Sequence, residues 1–324
     1  MSGAAIAFPV RLRDGVEVER RGNFFIDRAW EPAGITAQFA EDALTYHERY
    51  FDRLDFVALM DRCLAVGDVD RDARLSVLDI GSGGGSSVFG TAKLLPQATI
   101  VASDISPQLL ELLADFVASN PALEERISAC CFDLHRPFFA ADQFDAVVGS
   151  AILHHLLDPY AALKNVVYSL KPGGKLILVE PLEAGSLMLV AAFEAVLNAL
   201  RDLGQKSGTL FDLMRAMRTD IRARLGVPIA RAWTADLDDK WLFDKPYLSE
   251  LAEQLELTRV DVYPIQEDLS DMFESAFRGL LAESGNAGLQ IPATVLEAVR
   301  AFDRGIDVSL KPLLAPTGIL VFTK

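Results

Sequence analysis

An acid followed by a glycine-rich turn is the feature of this sequence with the clearest chemical meaning. Asp79 lies in a short apolar run at residues 77–80, and Gly81, Gly83 and Gly85 follow at alternate positions. A backbone without side chains accepts positive φ angles and lets a ligand approach closely. A carboxylate at this point repels a phosphate and attracts a cation. The spacing therefore predicts a binding site for a ligand that carries positive charge.

Acids also close two later apolar runs, and two histidines follow a further one. Asp104 and Asp133 each end a short apolar run, while His154 and His155 come after the run at residues 144–150. If these runs are parallel strands, their carboxyl ends share one edge of a sheet, where ligands bind. Histidine is the usual general base near neutral pH. The two histidines are therefore predicted as catalytic candidates, the alternative being that they pack and cap local backbone.

A dinucleotide site is the main alternative for the glycine turn, with Gly-x-Gly-x-x-Gly as its fingerprint. Counted from Gly81, the second glycine fits at Gly83, but the sixth position is Ser86. The preceding Asp79 is also unfavourable beside a pyrophosphate. The turn therefore favours a cationic nucleoside, and an NAD-dependent oxidoreductase remains the less favoured interpretation.

Taken in chain order, several segments resemble the motifs of class I S-adenosylmethionine-dependent methyltransferases. The resembling segments are residues 77–85, Asp104, residues 131–134, residues 144–156 and residues 170–176. The resemblance implies that S-adenosyl-L-methionine is the cofactor, that Asp104 binds its ribose hydroxyls and that Asp133 lies near its adenine amino group. The cofactor-binding residues that it implies are Asp79, Gly81, Ser82, Gly83, Gly85, Asp104, Ile105, Asp133, Leu134 and Ser150.

The elements that would position these residues alternate between strand and helix over residues 76–180. Regular alternation predicts an α/β fold with a doubly wound, mostly parallel sheet. The resemblance adds an antiparallel last strand, which fits residues 317–323. We therefore expect a Rossmann-like methyltransferase domain at residues 71–324 with helical lid inserts at about 182–245 and 266–315.

The first 70 residues are predicted to form a β-appendage followed by a helical segment. Asp14-Gly15 between two alternating runs predicts a hairpin, with residues 35–66 helical after it. Tyr46 or Tyr50 on that helix is expected either to cover the methionine end of the cofactor, as the resemblance implies, or to pack in the core.

The charge and residue composition of the chain argue against several kinds of binding partner. The net charge of -15 argues against binding to nucleic acid or to an anionic membrane surface. The longest apolar segment, residues 187–200, carries Glu194 and Asn198 and is predicted to be too short and polar to span a bilayer. The 3 cysteines and 4 histidines show no metal-ligand spacing, so no metal is predicted. We expect a cytoplasmic protein, because nothing indicates a disulfide framework or a leader.

The sequence thus predicts a methyltransferase that acts on a small, hydrophobic metabolite at oxygen, nitrogen or carbon. The large apolar inserts favour such an acceptor, and a homodimer is among the assemblies that the sequence allows. A protein of the same fold that binds S-adenosylmethionine for non-methylating chemistry is the alternative. Candidate pocket residues on the inserts are Met188, Phe193, Phe211, Met214, Trp233, Trp241, Met272 and Phe277.

Overall fold

A nine-stranded sheet forms the centre of the protein in a computed structural model that describes residues 8–31, 43–50, 53–227 and 239–324. The strands are β1 (Val18–Arg21), β2 (Phe24–Asp27), β3 (Ser76–Ile80), β4 (Thr99–Asp104), β5 (Ile127–Cys131), β6 (Phe144–Ser150), β7 (Leu170–Pro181), β8 (Val260–Pro264) and β9 (Thr317–Thr323). Their order across the sheet is β1-β2-β5-β4-β3-β6-β7-β9-β8. Strands β2 to β7 pair in parallel, whereas β1, β9 and β8 pair antiparallel with their neighbours.

Helices cover both faces of this sheet. They are α1 (Ala43–Tyr50), α2 (Arg53–Val66), α3 (Ser86–Leu94), α4 (Pro107–Ala118), α5 (Pro121–Glu124), α6 (Pro159–Ser169), α7 (Glu183–Asp202), α8 (Thr209–Arg224), α9 (Lys245–Gln254), α10 (Met272–Glu283) and α11 (Ala293–Arg304). Short 3-10 turns lie at Leu153–His155 and Lys311–Leu314. The doubly wound arrangement and the antiparallel last strand confirm the predicted fold class.

Alternation along each strand divides the core into two apolar layers. Leu78 and Ile80 point into one layer with α6 and α9, while Val77 points into the other with α2, α3 and α4. Successive side chains of a strand face opposite sides, so a strand buried on both faces reads as an unbroken apolar run. This is why the strands over residues 76–180 were recognisable in the sequence.

The N-terminal hairpin differs from the predicted one. Asp14-Gly15 is a turn, but the hairpin pairs β1 with β2 and turns at Gly22 instead, where φ is +58°. Strand β2 is wholly buried because it adds in parallel to the edge of β5. Strand β2 contains the apolar run Phe24-Phe25-Ile26, but its pairing with the distant β5 has no local signal.

The predicted helical segment at residues 35–66 is present as α1 and α2 where the structure describes it. Residues 35–42 and the side chains of Tyr46 and Tyr50 lie outside the described residues, so the expectation for the two tyrosines remains untested.

The two inserts after β7 share one apolar core, which we call the cap. Helices α7, α8, α10 and α11 supply it, with Phe193, Met214 and Phe273 among its fully enclosed side chains. Helix α7 is long and apolar enough to cross a membrane by length and composition, but 50% of its apolar window is buried inside the protein. Its apolar side therefore forms the centre of the cap.

Candidate functional site

Asp79 is a fully buried carboxylate at the carboxyl end of β3. Its Oδ1 accepts a hydrogen bond of 3.1 Å from the Ser87 hydroxyl, whereas Oδ2 has no hydrogen-bond partner among the described residues. Burial raises the pKa of Asp79, the Ser87 hydrogen bond opposes this effect, and the nearby charge of Asp104 adds to it, so that the pKa is about 7. The strand end thus holds an acid whose second oxygen receives no hydrogen bond from the described residues.

The glycine turn brings bare backbone beside this acid. Gly81 has a φ of +64°, and a Cβ there would lie 2.6 Å from the side chain of Ile152. A Cβ on Gly84 would overlap the His47 ring of α1, so that ring packs directly on the turn. Gly85 is the N-cap of α3, and Ser87 in the first turn of that helix donates to Asp79.

Asp104 fastens the turn to the end of β4. Its Oδ2 accepts from the Gly83 N–H at 2.8 Å, and its Oδ1 accepts from the Ser106 N–H at 2.8 Å. Burial raises the pKa of Asp104, and these backbone hydrogen bonds oppose that effect. Asp79 and Asp104 therefore form an acidic pair at adjacent strand ends.

The other residues implied for the cofactor lie along the same edge. Asp133 follows β5 and is bonded through Oδ1 to both the backbone N–H and the ring Nδ1 of His135, each at 2.9 Å. Although burial raises its pKa, these bonds and the charge of Arg136 bring it below the ordinary value. Leu134 is buried, and Ser150 ends β6 on the neighbouring side of β3. The structure therefore brings the predicted residues to one sheet edge.

This edge fits a cationic nucleoside cofactor. Besides Oδ2 of Asp79, the buried Oγ of Ser82 has no hydrogen-bond partner among the described residues. Buried polar atoms are nearly always bonded, so two unpartnered oxygens beside a glycine turn indicate a ligand with donor groups. Asp79 and Ser82 would hold the amino-acid end, with Asp104 and Asp133 further along the edge for the nucleoside.

The histidine turn is fixed by a glutamate that the sequence analysis did not single out. Glu180 is fully buried near the end of β7, and it accepts from the N–H groups of Ile152 and Leu153 at 3.1 and 2.6 Å. It also binds Nδ1 of His154 at 2.6 Å. The signal was available, because Glu180 ends an apolar run just as Asp104 does.

Asp239 completes the cluster from the first insert. Its Oδ1 lies 3.5 Å from Nε2 of His154 and 3.6 Å from Nδ1 of His155. Burial would lower the pKa of His154, but the charges of Glu180 and Asp239 raise it to about 9. Burial also favours a high pKa for Asp239, yet the two histidines and Arg224 bring it far below its ordinary value. Asp239 was missed because only the fold brings it to the histidines.

The segment after Asp239 closes over the histidine turn. Lys240 donates its backbone N–H to the carbonyl of His154 at 2.9 Å, and the Trp241 indole donates to the carbonyl of Leu156 at 2.6 Å. Because Ile152 packs on Gly81, the histidines, the glycine turn and this segment meet at one place.

The expected pocket residues mostly pack in the interior. Phe193, Phe211, Met214, Met272 and Phe277 are buried in the cap core. Trp241 belongs to the apolar layer of the sheet, Met188 is partly buried against the cap, and Trp233 lies outside the described residues. The cap is therefore apolar by its own packing, and these residues do not define an acceptor pocket.

The known proteins to which this chain is similar include several methyltransferases. A family described as a methyltransferase domain matches residues 78–178. The methyltransferase str2 of Strobilurus tenacellus is 30% identical over 237 residues, which cover 70% of this chain and 72% of that protein. An uncharacterised methyltransferase of Schizosaccharomyces pombe is 32% identical over 102 residues, but the match spans only 37% of its length.

Among solved structures, a Haemonchus contortus phosphoethanolamine N-methyltransferase 2 in complex with phosphomonomethylethanolamine and S-adenosylhomocysteine is similar to this chain. The TM-score is 0.49 at 14% identity, and the match covers 91% of this chain and 59% of that one.

Proposed function

The chain belongs to the class I S-adenosylmethionine-dependent methyltransferases, and we propose that it methylates a small acceptor with an apolar body. The sulfonium methyl group of the cofactor is already activated, so the protein must chiefly hold a nucleophile in line with it. Positioning of this kind contributes up to roughly 7–11 kcal/mol.

The buried Oδ2 of Asp79, which no described residue meets with a hydrogen bond, is the observation that carries the proposal. A buried carboxylate oxygen without a donor is costly unless a cation or a donor group meets it. The amino group of an amino-acid nucleoside supplies both. A pyrophosphate would instead add negative charge beside Asp79 and Asp104, which the pair disfavours.

The proposal of a small acceptor rests on what surrounds the histidine turn. The segment at residues 239–243 joins the cap to that turn through the backbone of His154 and Leu156. Leu242 of this segment is buried in the apolar core of the cap, so the segment connects the histidine turn to apolar side chains. The net charge of -15 opposes a nucleic-acid acceptor.

The two histidines are proposed to lie beside the acceptor, where their cluster can receive its proton. Glu180 fixes the ring of His154 through Nδ1, so the Nε2 edge faces Asp239. His155 faces the same oxygen from the next position in the turn. If the nucleophile is a hydroxyl, its proton leaves toward this cluster, whereas an amine of sufficient nucleophilicity needs no base.

Calorimetric titration tests the cofactor. We expect S-adenosylmethionine and S-adenosylhomocysteine to bind and NAD not to bind. Asp104→Ala should weaken both adenosyl ligands by about tenfold or more, because it removes a charged hydrogen-bond acceptor. The exposed Glu111→Ala on α4 is the control and should leave the dissociation constants unchanged. Binding of NAD alone would overturn the proposal.

Incubation of a metabolite extract with the protein and methyl-labelled cofactor tests the activity. Mass spectrometry should show a small compound that gains one labelled methyl group. Cofactor binding without labelling of any compound would contradict methyl transfer and favour the non-methylating alternative.

A further inference from the structure

We infer that His154, His155 and Asp239 form a binding site for a divalent transition metal. The three side chains offer donor atoms that all lie within 4.8 Å of one another. Two imidazoles and one carboxylate are a common ligand set for zinc and for other first-row metals of similar softness.

The distances match ligand-to-ligand contacts better than hydrogen bonds. Oδ1 of Asp239 lies 3.5 Å from His154 Nε2 and 3.6 Å from His155 Nδ1. Hydrogen bonds between an imidazolium and a carboxylate measure about 2.7–2.9 Å. Ligands of a tetrahedral ion with bonds of 2.0–2.2 Å are separated by about 3.3–3.6 Å. One carboxylate oxygen thus stands at ligand spacing from both imidazole nitrogens.

Neighbouring residues orient two of the proposed metal ligands, His154 and Asp239. Glu180 lies 2.6 Å from Nδ1 of His154, which orients the ring so that Nε2 faces Asp239. A metal bound there would displace the Nε2 proton. A metal-bound histidine usually gives its other N–H to a carboxylate in this way. Arg224 binds Oδ2 of Asp239 at 3.4 Å and leaves Oδ1 on the side of the histidines.

Three protein ligands leave a fourth position for water or an acceptor oxygen, as catalytic zinc sites do. A metal there would lower the pKa of a coordinated hydroxyl. Activation of an acceptor hydroxyl by the metal rests on the proposed methyl transfer, whereas the binding of the metal itself does not.

Metal binding is tested on the whole chain after chelation and gel filtration. Calorimetry with Zn²⁺ should show one equivalent bound. Co²⁺ should give visible absorption bands of a four-coordinate site. Cofactor titration of the same chelated sample should still show binding, so failure of the metal site is distinguishable from failure of the proposed function.

Variants assign the ligands. Asp239→Asn and His155→Gln should each weaken Zn²⁺ binding by at least about tenfold, and Glu180→Gln by about 10–100-fold. Asp220→Asn is the matched control. Asp220 carries the same charge as Asp239 and also pairs with Arg224, but it makes no ion pair with either histidine in the described structure. It should leave the zinc affinity unchanged.

Three results would overturn the inference. These are an absence of Zn²⁺ and Co²⁺ binding, binding that survives both Asp239→Asn and His155→Gln, or an equal loss in Asp220→Asn. Thermal unfolding of every variant, measured without metal, shows that each is folded before its affinity is compared.

Discussion

Buried carboxylates at strand ends have two different fates in this protein. Glu180 is enclosed by backbone N–H groups and a histidine ring, so its charge is fully compensated within the chain. Asp79 is equally buried, but within the described part of the chain only one of its oxygens has a donor. The same functional group, a buried carboxylate, therefore fixes a turn at β7 and is available to a ligand at β3.

Asp79 should lose a proton when the cofactor binds. Its pKa is raised to about 7, so the side chain is about half protonated at that pH. The positive charge of the ligand lowers this pKa, which releases up to about half a proton at pH 7 and more at pH 6. Calorimetry in buffers of different ionisation enthalpy measures this release.

Asp79→Asn provides the control, because its amide oxygen still accepts from Ser87 but cannot titrate. The variant should release less proton at pH 6–7 than the native chain, and the two should converge above pH 8.5. The raised pKa also means that Asp79 contributes stability below about pH 4, which is lost as the pH rises through 7. Proton uptake on binding would refute this assignment.

The sequence predicted the acids at the sheet edge because each has a local signal. Asp79, Asp104 and Asp133 end or follow apolar runs, and His154 follows another. Asp239 had no comparable signal, since its partners lie far away in sequence and only the cap brings it to them.

At the scale of elements, sequence patterns succeeded where burial and local preference agree. Strands β3 to β6 fall within the region where the sequence predicted alternating strands and helices, because their two-sided burial makes continuous apolar runs. The prediction of a hairpin at Asp14-Gly15 was wrong because the position of β2 depends on β5, a neighbour about a hundred residues away in sequence.

The cap is held together by a buried ion pair as well as by its apolar core. Asp303 on α11 accepts from the N–H groups of Phe273 and Glu274 at the start of α10. Lys311 binds Asp303 at 3.0 Å and donates to the carbonyls of Leu269 and Ser270. All three ammonium hydrogens thus have acceptors, which removes much of the cost of burying the pair.

Two glycines on cap helices should respond in opposite directions to alanine. A Cβ at Gly185 on α7 would lie 2.1 Å from the backbone oxygen of Ala315, and backbone cannot rotate away. Gly185→Ala should lower the free energy of unfolding by about 1–3 kcal/mol. Gly279 on α10 is exposed with nothing within 4 Å, so Gly279→Ala should raise it by about 0.5–1 kcal/mol.

Urea unfolding of the two variants measures both effects at a constant m-value. Equal changes in the free energy of unfolding of the two variants would show that the close contact between Gly185 and the backbone of Ala315 does not determine stability.

At the scale of the whole molecule, the acids of the site belong to a strongly acidic chain. The 46 acidic and 31 basic side chains give a net charge of -15. Such a charge creates a negative potential over the surface, and clefts lined by the same sign concentrate it. The potential favours a cationic ligand before any contact forms.

The two adenosyl ligands report this potential, because S-adenosylmethionine carries one more positive charge than S-adenosylhomocysteine. Salt screens long-range attraction, with a Debye length of about 30 Å at 0.01 M and 8 Å at 0.15 M. Raising KCl from about 0.01 to 0.3 M should therefore weaken S-adenosylmethionine several-fold more than S-adenosylhomocysteine. Titrations at constant pH measure both dissociation constants, and the uncharged thioether is the internal control. Parallel salt dependence of the two ligands would show that local contacts, rather than the charge of the whole chain, distinguish them.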